Sequence, residues 1–374
     1  MFPYCKYPAN EIKSHLQSVT PEMALRSLDN PEPKFSDFLN YISPAAENML
    51  EEMREHAAVI RKMYFGNTVR LYGPLYISNI CINDCAYCGF RTSYHEHKRR
   101  RLTFDETIAE AKIIKGYGMD SLLLVSGEDP VGVSVDFLVK VVNELKKMFS
   151  YISIEIYPMD RDNYRKLFEA GVHGLTIYQE TYDQELYKKL HRRGPKADYQ
   201  NRLDAMKAGG EAGFYNLGMG ALLGLNPDWR LEAVSVAAHG LWIRKHFWRS
   251  KIQFSFPRIT PVEGGFQVPA PVSEINLEQM MLAFRLFFHE ADLFISTRES
   301  RDFRTRIVKT CVSHISAGSQ VAPGGYDEYE RLKDKRDLGQ FTVTDSSSVV
   351  QVVADMKAQG LEPVFKDWDS AFGA

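Results

Sequence analysis

Three cysteines fall within eight positions, in the segment Cys81-Ile82-Asn83-Asp84-Cys85-Ala86-Tyr87-Cys88-Gly89-Phe90. Thiolates are soft ligands that suit iron–sulfur centres and zinc. Three of them on one loop can ligate three irons of a four-iron cluster and leave the fourth iron open. An open iron can bind a small molecule chemically, whereas a fully ligated cluster cannot. The competing reading is a structural zinc site, with His95, His97 or Cys311 as a fourth ligand. Structural zinc usually takes four ligands in paired knuckles, and the chain has no second Cys-x2-Cys pair. The total of five cysteines, with three crowded together, does not fit a disulfide framework. It points to a metal site in a reducing compartment, hence a cytoplasmic protein.

The elements that must position this loop are legible from residue 71 onward, where short apolar runs alternate with amphipathic stretches. Strands are expected at Arg70–Ser78, Ser121–Val125, Ile152–Tyr157, Gly174–Tyr178, Tyr215–Leu222, Lys251–Phe256, Asp292–Ser296 and Val312–Ser316. Helical patterns lie between most of them: Phe104–Tyr117, Val133–Met148, Tyr199–Ala212, Leu231–His246 and Leu277–Phe288. Such alternation implies parallel strands joined by crossovers. Eight strands suggest an α/β protein built as a (β/α)8 barrel, with an open doubly wound sheet as the alternative. Residues 1–70 read as a helical N-terminal extension, a cap or side layer, with a helix starting at Thr20-Pro21-Glu22 and another along Ala45 to Met63. Residues 71–320 form the barrel core and 321–374 a C-terminal extension packed on it. In that tail Thr344-Asp345 is expected to start a helix through Met356, and Phe365 and Trp368 to pin the tail to the barrel.

The active site of such a barrel lies at the carboxyl ends of its strands, and the cysteine loop directly follows the first. The other strand ends are polar or glycine-rich: Ser126-Gly127-Glu128, Pro158-Met159, Gln179-Glu180-Thr181, Gly218 to Gly224, Pro257-Arg258, Thr297-Arg298-Glu299-Ser300 and Ser316-Ala317-Gly318-Ser319. Glycines at the fifth end would let the backbone approach a ligand closely. Arg298 is positioned to hold the carboxylate of an amino-acid substrate by two parallel hydrogen bonds. Arg258 competes with it for that role, and Ser316 can add a hydroxyl contact.

Other features carry less. The run Lys98-Arg99-Arg100-Arg101 reads as a solvated face, with a docking site for an acidic electron donor as the alternative. His239 and His246 read as packing or surface residues, Cys311 as a buried thiol and Cys5 as peripheral. A formal net charge of -2 gives no sign of a nucleic-acid binder. No apolar run is long enough to span a membrane, and the N-terminus lacks a secretory signal.

The spacing C-x3-C-x2-C, with the aromatic Tyr87 before the third cysteine, resembles the radical S-adenosylmethionine (SAM) superfamily. Further blocks resemble one family within it, the 2-iminoacetate synthases, which are tyrosine lyases. These blocks are Leu75-Tyr76-Ile77-Ser78-Asn79, Leu123-Leu124-Val125-Ser126-Gly127-Glu128, Tyr178-Gln179-Glu180-Thr181-Tyr182, Phe254-Ser255-Phe256-Pro257-Arg258, Ser296-Thr297-Arg298-Glu299, Ile315-Ser316-Ala317-Gly318-Ser319 and Lys366-Asp367-Trp368-Asp369. The resemblance runs from about Phe35 to Ser370. It implies a [4Fe–4S] cluster on Cys81, Cys85 and Cys88 whose open iron chelates SAM. Ser126, Gly127 and Glu128 stand where the superfamily's Gly-Gly-Glu motif contacts SAM, and Gln179 and Glu180 are further SAM candidates. The implied reaction splits the Cα–Cβ bond of L-tyrosine into 2-iminoacetate and 4-methylphenol, releasing 5′-deoxyadenosine and methionine. The implied partners are a thiazole synthase of thiamine biosynthesis and a flavodoxin- or ferredoxin-type electron donor, with neither nucleic acid nor membrane involved. The tyrosine lyases of [FeFe]-hydrogenase maturation are similar but carry further C-terminal cysteines. The absence of any cysteine after Cys311 leads us to expect the thiamine-pathway branch. Tryptophan lyases are a more distant alternative.

Overall fold

The computed structural model describes residues 8–260, 265–327 and 339–366. Cys5 and Trp368 lie outside them, as does most of the charged segment after Tyr326. Eight parallel strands run in chain order around a barrel: β1 (Thr68–Ser78), β2 (Ser121–Ser126), β3 (Tyr151–Glu155), β4 (Gly174–Thr176), β5 (Asn216–Met219), β6 (Lys251–Ser255), β7 (Asp292–Ile295) and β8 (His314–Ser316). The barrel closes because β1 pairs with both β2 and β8, which rules out the open sheet. Each expected strand is present, with ends shifted by up to three residues.

The eleven residues of β1 divide their work. Arg70, Leu71 and Tyr72 pair with β8, and Gly73 to Ser78 pair with β2. The upper half of β1 therefore overshoots the end of β8 and carries the chain to the barrel mouth, where the cysteine loop begins. The first residues of β1 pair with a ninth strand, β9 (Glu362–Val364), that the sequence reading missed. Beside β9, the Phe365 carbonyl accepts the Asp120 amide, so the tail is sewn into the sheet.

The strand-to-helix turns follow from local chemistry. Each helix that follows a barrel strand up to β7 starts on a Ser, Thr or Asp whose side chain accepts an amide of the first turn: Thr103, Ser134, Asp160, Asp183, Asp198, Asp228, Ser273 and Ser300. Each such cap contributes about 1 kcal/mol and fixes where the loop ends. The helices Arg161–Ala170, Gln184–Leu190 and Arg301–Val308 are additions to the sequence reading. They are short and mostly polar, with few apolar residues to signal them.

The N-terminal helices form a layer on the outside of the barrel. Phe38 meets Phe284 edge-on at 5.2 Å, Gln279 donates to the carbonyls of Tyr41 and Ser43, and Arg54 pairs with the buried Glu278 at 2.7 Å. The helix from Pro21 starts on Thr20 as expected. The tail helix does not start at Asp345. It spans Val349–Ala358 with a capping box on Ser348, because the Asp345 carboxylate is taken by the buried Arg304.

Candidate active site

The cysteine loop is fixed on several sides. Asn79, fully buried, donates to the Lys98 carbonyl at 2.8 Å and accepts the Arg100 amide at 2.6 Å. The Asn83 side chain donates to Glu128 at 2.5 Å and accepts the Lys196 amide at 2.9 Å. Ile82 donates its amide to the Glu128 carbonyl, and Ala86 to that of Leu190. The Tyr87 hydroxyl lies 2.8 Å from His191 Nε2. The basic run is not merely solvated, which corrects the sequence reading. Arg99 donates to the carbonyls of Asn79, Phe90 and Arg91, Arg101 forms a two-pronged pair with Asp129 at 2.5 and 2.8 Å, and Arg100 pairs with Glu106. These guanidiniums brace the loop while remaining partly exposed.

The donor set fits an iron–sulfur cluster. Three thiols sit on one braced loop, and two already face N–H groups: Asn83 Nδ2 lies 3.7 Å from Cys81 Sγ, and the Phe90 amide 3.4 Å from Cys88 Sγ. Such donors favour thiolate over thiol. Burial otherwise pushes the Cys85 and Cys88 thiols up, so metal coordination is what would hold them ionised. Among the described residues, no three His, Cys, Asp or Glu side chains converge as a single metal ion needs. His97, offered above as a fourth zinc ligand, instead sits against the Asn79 amide at 3.3 Å.

Beside the loop, Gly127 has a packing role. A Cβ there would run into the Ile80 carbonyl and sit 3.3 Å from Cys81 Cβ. Glycine lets the end of β2 pass directly under the first cysteine. Ser126 turns its hydroxyl onto the Gly127 carbonyl. Gly220 likewise admits the Ser255 carbonyl of β6, which a Cβ would strike. That inter-strand fit, rather than ligand approach, accounts for this glycine.

Below the loop, a cavity of about 1480 Å³, counting its open mouth, runs into the barrel. Cys88, Glu180, Arg298 and Ser316 all line it, along with Tyr72, Tyr76, Glu155, Tyr178 and Lys196, which the sequence reading missed. Ser126, Gly127 and Glu128 lie beside the cysteine loop instead. Gln179 is turned away, donating to the Tyr199 carbonyl at 3.3 Å.

Glu180 is the one non-glycine among the described residues with positive φ, 69°. This conformation costs a carboxylate residue about 1–2 kcal/mol and is held by an ion pair to Lys196 at 2.6 Å and a longer one to Arg202 at 3.6 Å. Burial alone would raise its pKa, but Lys196 and then Arg202 outweigh it and hold the carboxyl below the usual range. Arg258 is also occupied, paired with Glu299 at 3.0 Å. Arg298 has no such partner. Its guanidinium lies over the Phe341 ring at 3.3 Å and makes no ion pair or side-chain hydrogen bond among the described residues. Burial lowers its pKa, with Tyr76 and Glu155 acting against that. The geometry thus separates two arginines that the sequence left in competition. The Ser316 hydroxyl is buried and accepts the Thr297 amide at 3.2 Å, placing it one residue from Arg298. Of the histidines set aside, His239 is buried against the Tyr182 hydroxyl at 2.8 Å and His246 stacks on Trp242. Cys311 is a buried thiol.

A parallel eight-stranded barrel with a three-cysteine loop after its first strand and a cavity beneath it lined by aromatic and charged side chains defines a radical SAM enzyme. The family model described as the radical SAM superfamily matches residues 75–237, and that of the Biotin and Thiamin Synthesis associated domain matches residues 255–362. The cofactors are accordingly a [4Fe–4S] cluster and SAM. The crystal structure of HydG, a maturase of the [FeFe]-hydrogenase, superposes with a TM-score of 0.91 at 28% identity, covering 98% of this chain and 82% of that one. The 2-iminoacetate synthases of Salmonella typhimurium and Escherichia coli are each 37% identical over 364 residues, spanning 97% of this chain and 95% of theirs. The chain belongs to the 2-iminoacetate synthase family. No helix among the described residues is long and apolar enough to cross a membrane.

Proposed function

We infer that this enzyme cleaves the Cα–Cβ bond of L-tyrosine to 2-iminoacetate and 4-methylphenol, providing the precursor of the thiamine thiazole. The observation that carries this reading is the end-to-end match to 2-iminoacetate synthases. It is supported by a half-buried Arg298 in the cavity under the cysteine loop, with no carboxylate partner among the described residues. In this reading Cys81, Cys85 and Cys88 hold the cluster. Ser126, Gly127 and Glu128 shape the SAM-facing side of that loop, Glu180 with Lys196 contacts SAM from the opposite wall, and Gln179 supports this wall from behind. Arg298 and Ser316 receive the tyrosine carboxylate.

When bound, the cluster and SAM supply a 5′-deoxyadenosyl radical that takes a hydrogen atom from tyrosine. The task of the chain is to bind, orient and exclude water. Tyr72, Tyr76 and Tyr178 wall the cavity with aromatic surface. The tail closes one side, with Gln340 accepting the Tyr76 hydroxyl at 3.0 Å and Phe341 covering Arg298. A reactive carbon radical requires such a fixed, dry geometry. A cytoplasmic location, a flavodoxin- or ferredoxin-type donor and delivery to a thiazole synthase complete the proposal.

The test is product analysis after anaerobic reconstitution, with tyrosine and tryptophan offered separately. 4-Methylphenol from tyrosine alone supports the reading. An indole product from tryptophan, without 4-methylphenol from tyrosine, overturns the substrate assignment.

A further inference from the structure

Among the described residues, five charged side chains face the cavity or its wall: Glu155, Glu180, Lys196, Arg202 and Arg298. Three of them are mutually satisfied, since Glu180 pairs with both Lys196 and Arg202. Two are left over. Among the described residues, the Arg298 guanidinium has only the face of Phe341. Glu155, the last residue of β3, lines the same cavity, and its carboxylate takes no hydrogen bond and forms no ion pair among the described residues. The two do not pair with each other either. Glu155 ends β3 and Arg298 lies in the turn just past β7; these strands lie four places apart in an eight-stranded ring, so the two side chains enter from opposite walls. An unpaired carboxyl and an unpaired guanidinium inside one cavity are costly to keep charged unless a ligand supplies both counter-charges.

We propose that Glu155 binds the α-ammonium group of the amino-acid substrate, so that Glu155 and Arg298 together clamp its zwitterionic head from opposite sides of the barrel. The inference rests on the tyrosine reading above and adds to it the residue that fixes the amino nitrogen. Fixing that nitrogen matters because the hydrogen to be removed must point at one place. In the radical SAM reading, the amino and carboxylate groups of SAM would chelate the open iron and would leave this pair free for the substrate.

The surroundings agree. Tyr72, Tyr76 and Tyr178 all lie within the field of Glu155. Burial, then the charge of Glu180, raises the Glu155 carboxyl to about 7, while Arg298, Arg202 and Lys196 pull the other way. An incoming ammonium adds to that pull, so substrate binding near neutral pH ionises the carboxyl and releases a proton.

The experiment uses the cluster-loaded enzyme with SAM and compares wild type with Glu155→Gln and Glu155→Asp. Tyrosine, its des-amino analogue 3-(4-hydroxyphenyl)propionate and phenylalanine are titrated as ligands, with SAM titrated separately. For Glu155→Gln, tyrosine affinity should fall at least tenfold while SAM affinity holds, with partial recovery in Glu155→Asp. The des-amino analogue should bind wild type and Glu155→Gln equally, because the group that Glu155 contacts is gone. Phenylalanine should lose as much from the substitution as tyrosine does. Unchanged tyrosine affinity overturns the proposal. So does a loss confined to SAM, or a loss that vanishes with phenylalanine and persists with the des-amino analogue, which would place Glu155 at the phenol. Failure of wild type itself to bind tyrosine would instead remove the substrate reading on which the proposal stands.

Discussion

Gly127→Ala tests whether the end of β2 and the cysteine loop are one mechanical unit. The new Cβ would meet backbone, not a flexible side chain: the Ile80 carbonyl, whose carbon lies 3.1 Å away, and then Cys81 Cβ at 3.3 Å. Ordinary carbon contacts sit at about 3.5–4.0 Å, so the loop must retreat by roughly half an ångström or more. Overpacking of this kind costs about 1–3 kcal/mol. The Gly127 amide also donates to the Ser78 carbonyl at 2.8 Å, so the β2 end cannot simply swing away. The movement falls on Cys81, and the barrel below is untouched. If the cost is borne by the loop, cluster retention should weaken by roughly 5- to 150-fold, the same energy expressed as an equilibrium constant. The assay is iron and acid-labile sulfide per chain after anaerobic reconstitution, followed by a timed chelator challenge, with circular dichroism as the check on folding. A folded variant that loses its cluster at least several-fold faster than wild type is expected. A folded variant with wild-type retention and wild-type turnover would refute the reasoning.

Other expectations concern charge. Arg298→Ala should raise the tyrosine KM by about 10- to 100-fold, the scale of a lost charge-assisted hydrogen bond. The melting temperature of the apo-protein should stay level or rise, because no buried partner is orphaned; a large fall would mean that Arg298 is structural. Glu180→Gln breaks a buried ion pair and should destabilise the apo-protein by about 3–5 kcal/mol, read as a drop in the urea midpoint; a change within error would show that the pair is dispensable. Folding raises the Glu155 carboxyl from 4.5 to about 7. Its stabilising contribution is therefore fully present below pH 4.5 and lost as pH rises through 7, an effect of up to about 3 kcal/mol. Glu155→Gln apo-protein should thus gain on wild type in melting temperature between pH 4.5 and 8, whereas a gap that stays constant with pH would contradict an uncompensated carboxylate. Asn83→Ala cuts the links to Glu128 and the Lys196 amide and should speed cluster loss to a chelator; unchanged kinetics would show those links to be unimportant.

The cysteine loop was legible because its ligands are close in the chain and their spacing is itself the signal. The barrel strands were legible because each is a short apolar run bounded by polar turns. Other parts depend on partners distant in sequence. Nothing local distinguishes Arg258 from Arg298; the difference is that Glu299 reaches the former while Phe341 covers the latter. Lys196 and Arg202 lie outside the strand ends, and only the fold brings them onto Glu180. Arg99 looked like part of a solvated run because its acceptors are main-chain carbonyls, which leave no trace in side-chain composition. Glu155 did leave a signal. In β3, Tyr151, Ser153 and Glu155 alternate with Ile152 and Ile154, and the two isoleucines are fully buried. Polar residues at every second position of an apolar strand mark the face that lines a cavity.

The most direct test of the central claim is a quantified anaerobic reaction of reconstituted, reduced enzyme with SAM and tyrosine, following 5′-deoxyadenosine and 4-methylphenol together. The account predicts that the two appear in equal amounts and that both disappear in Cys85→Ala. 5′-Deoxyadenosine without 4-methylphenol, or 4-methylphenol that persists in the cysteine variant, would contradict it.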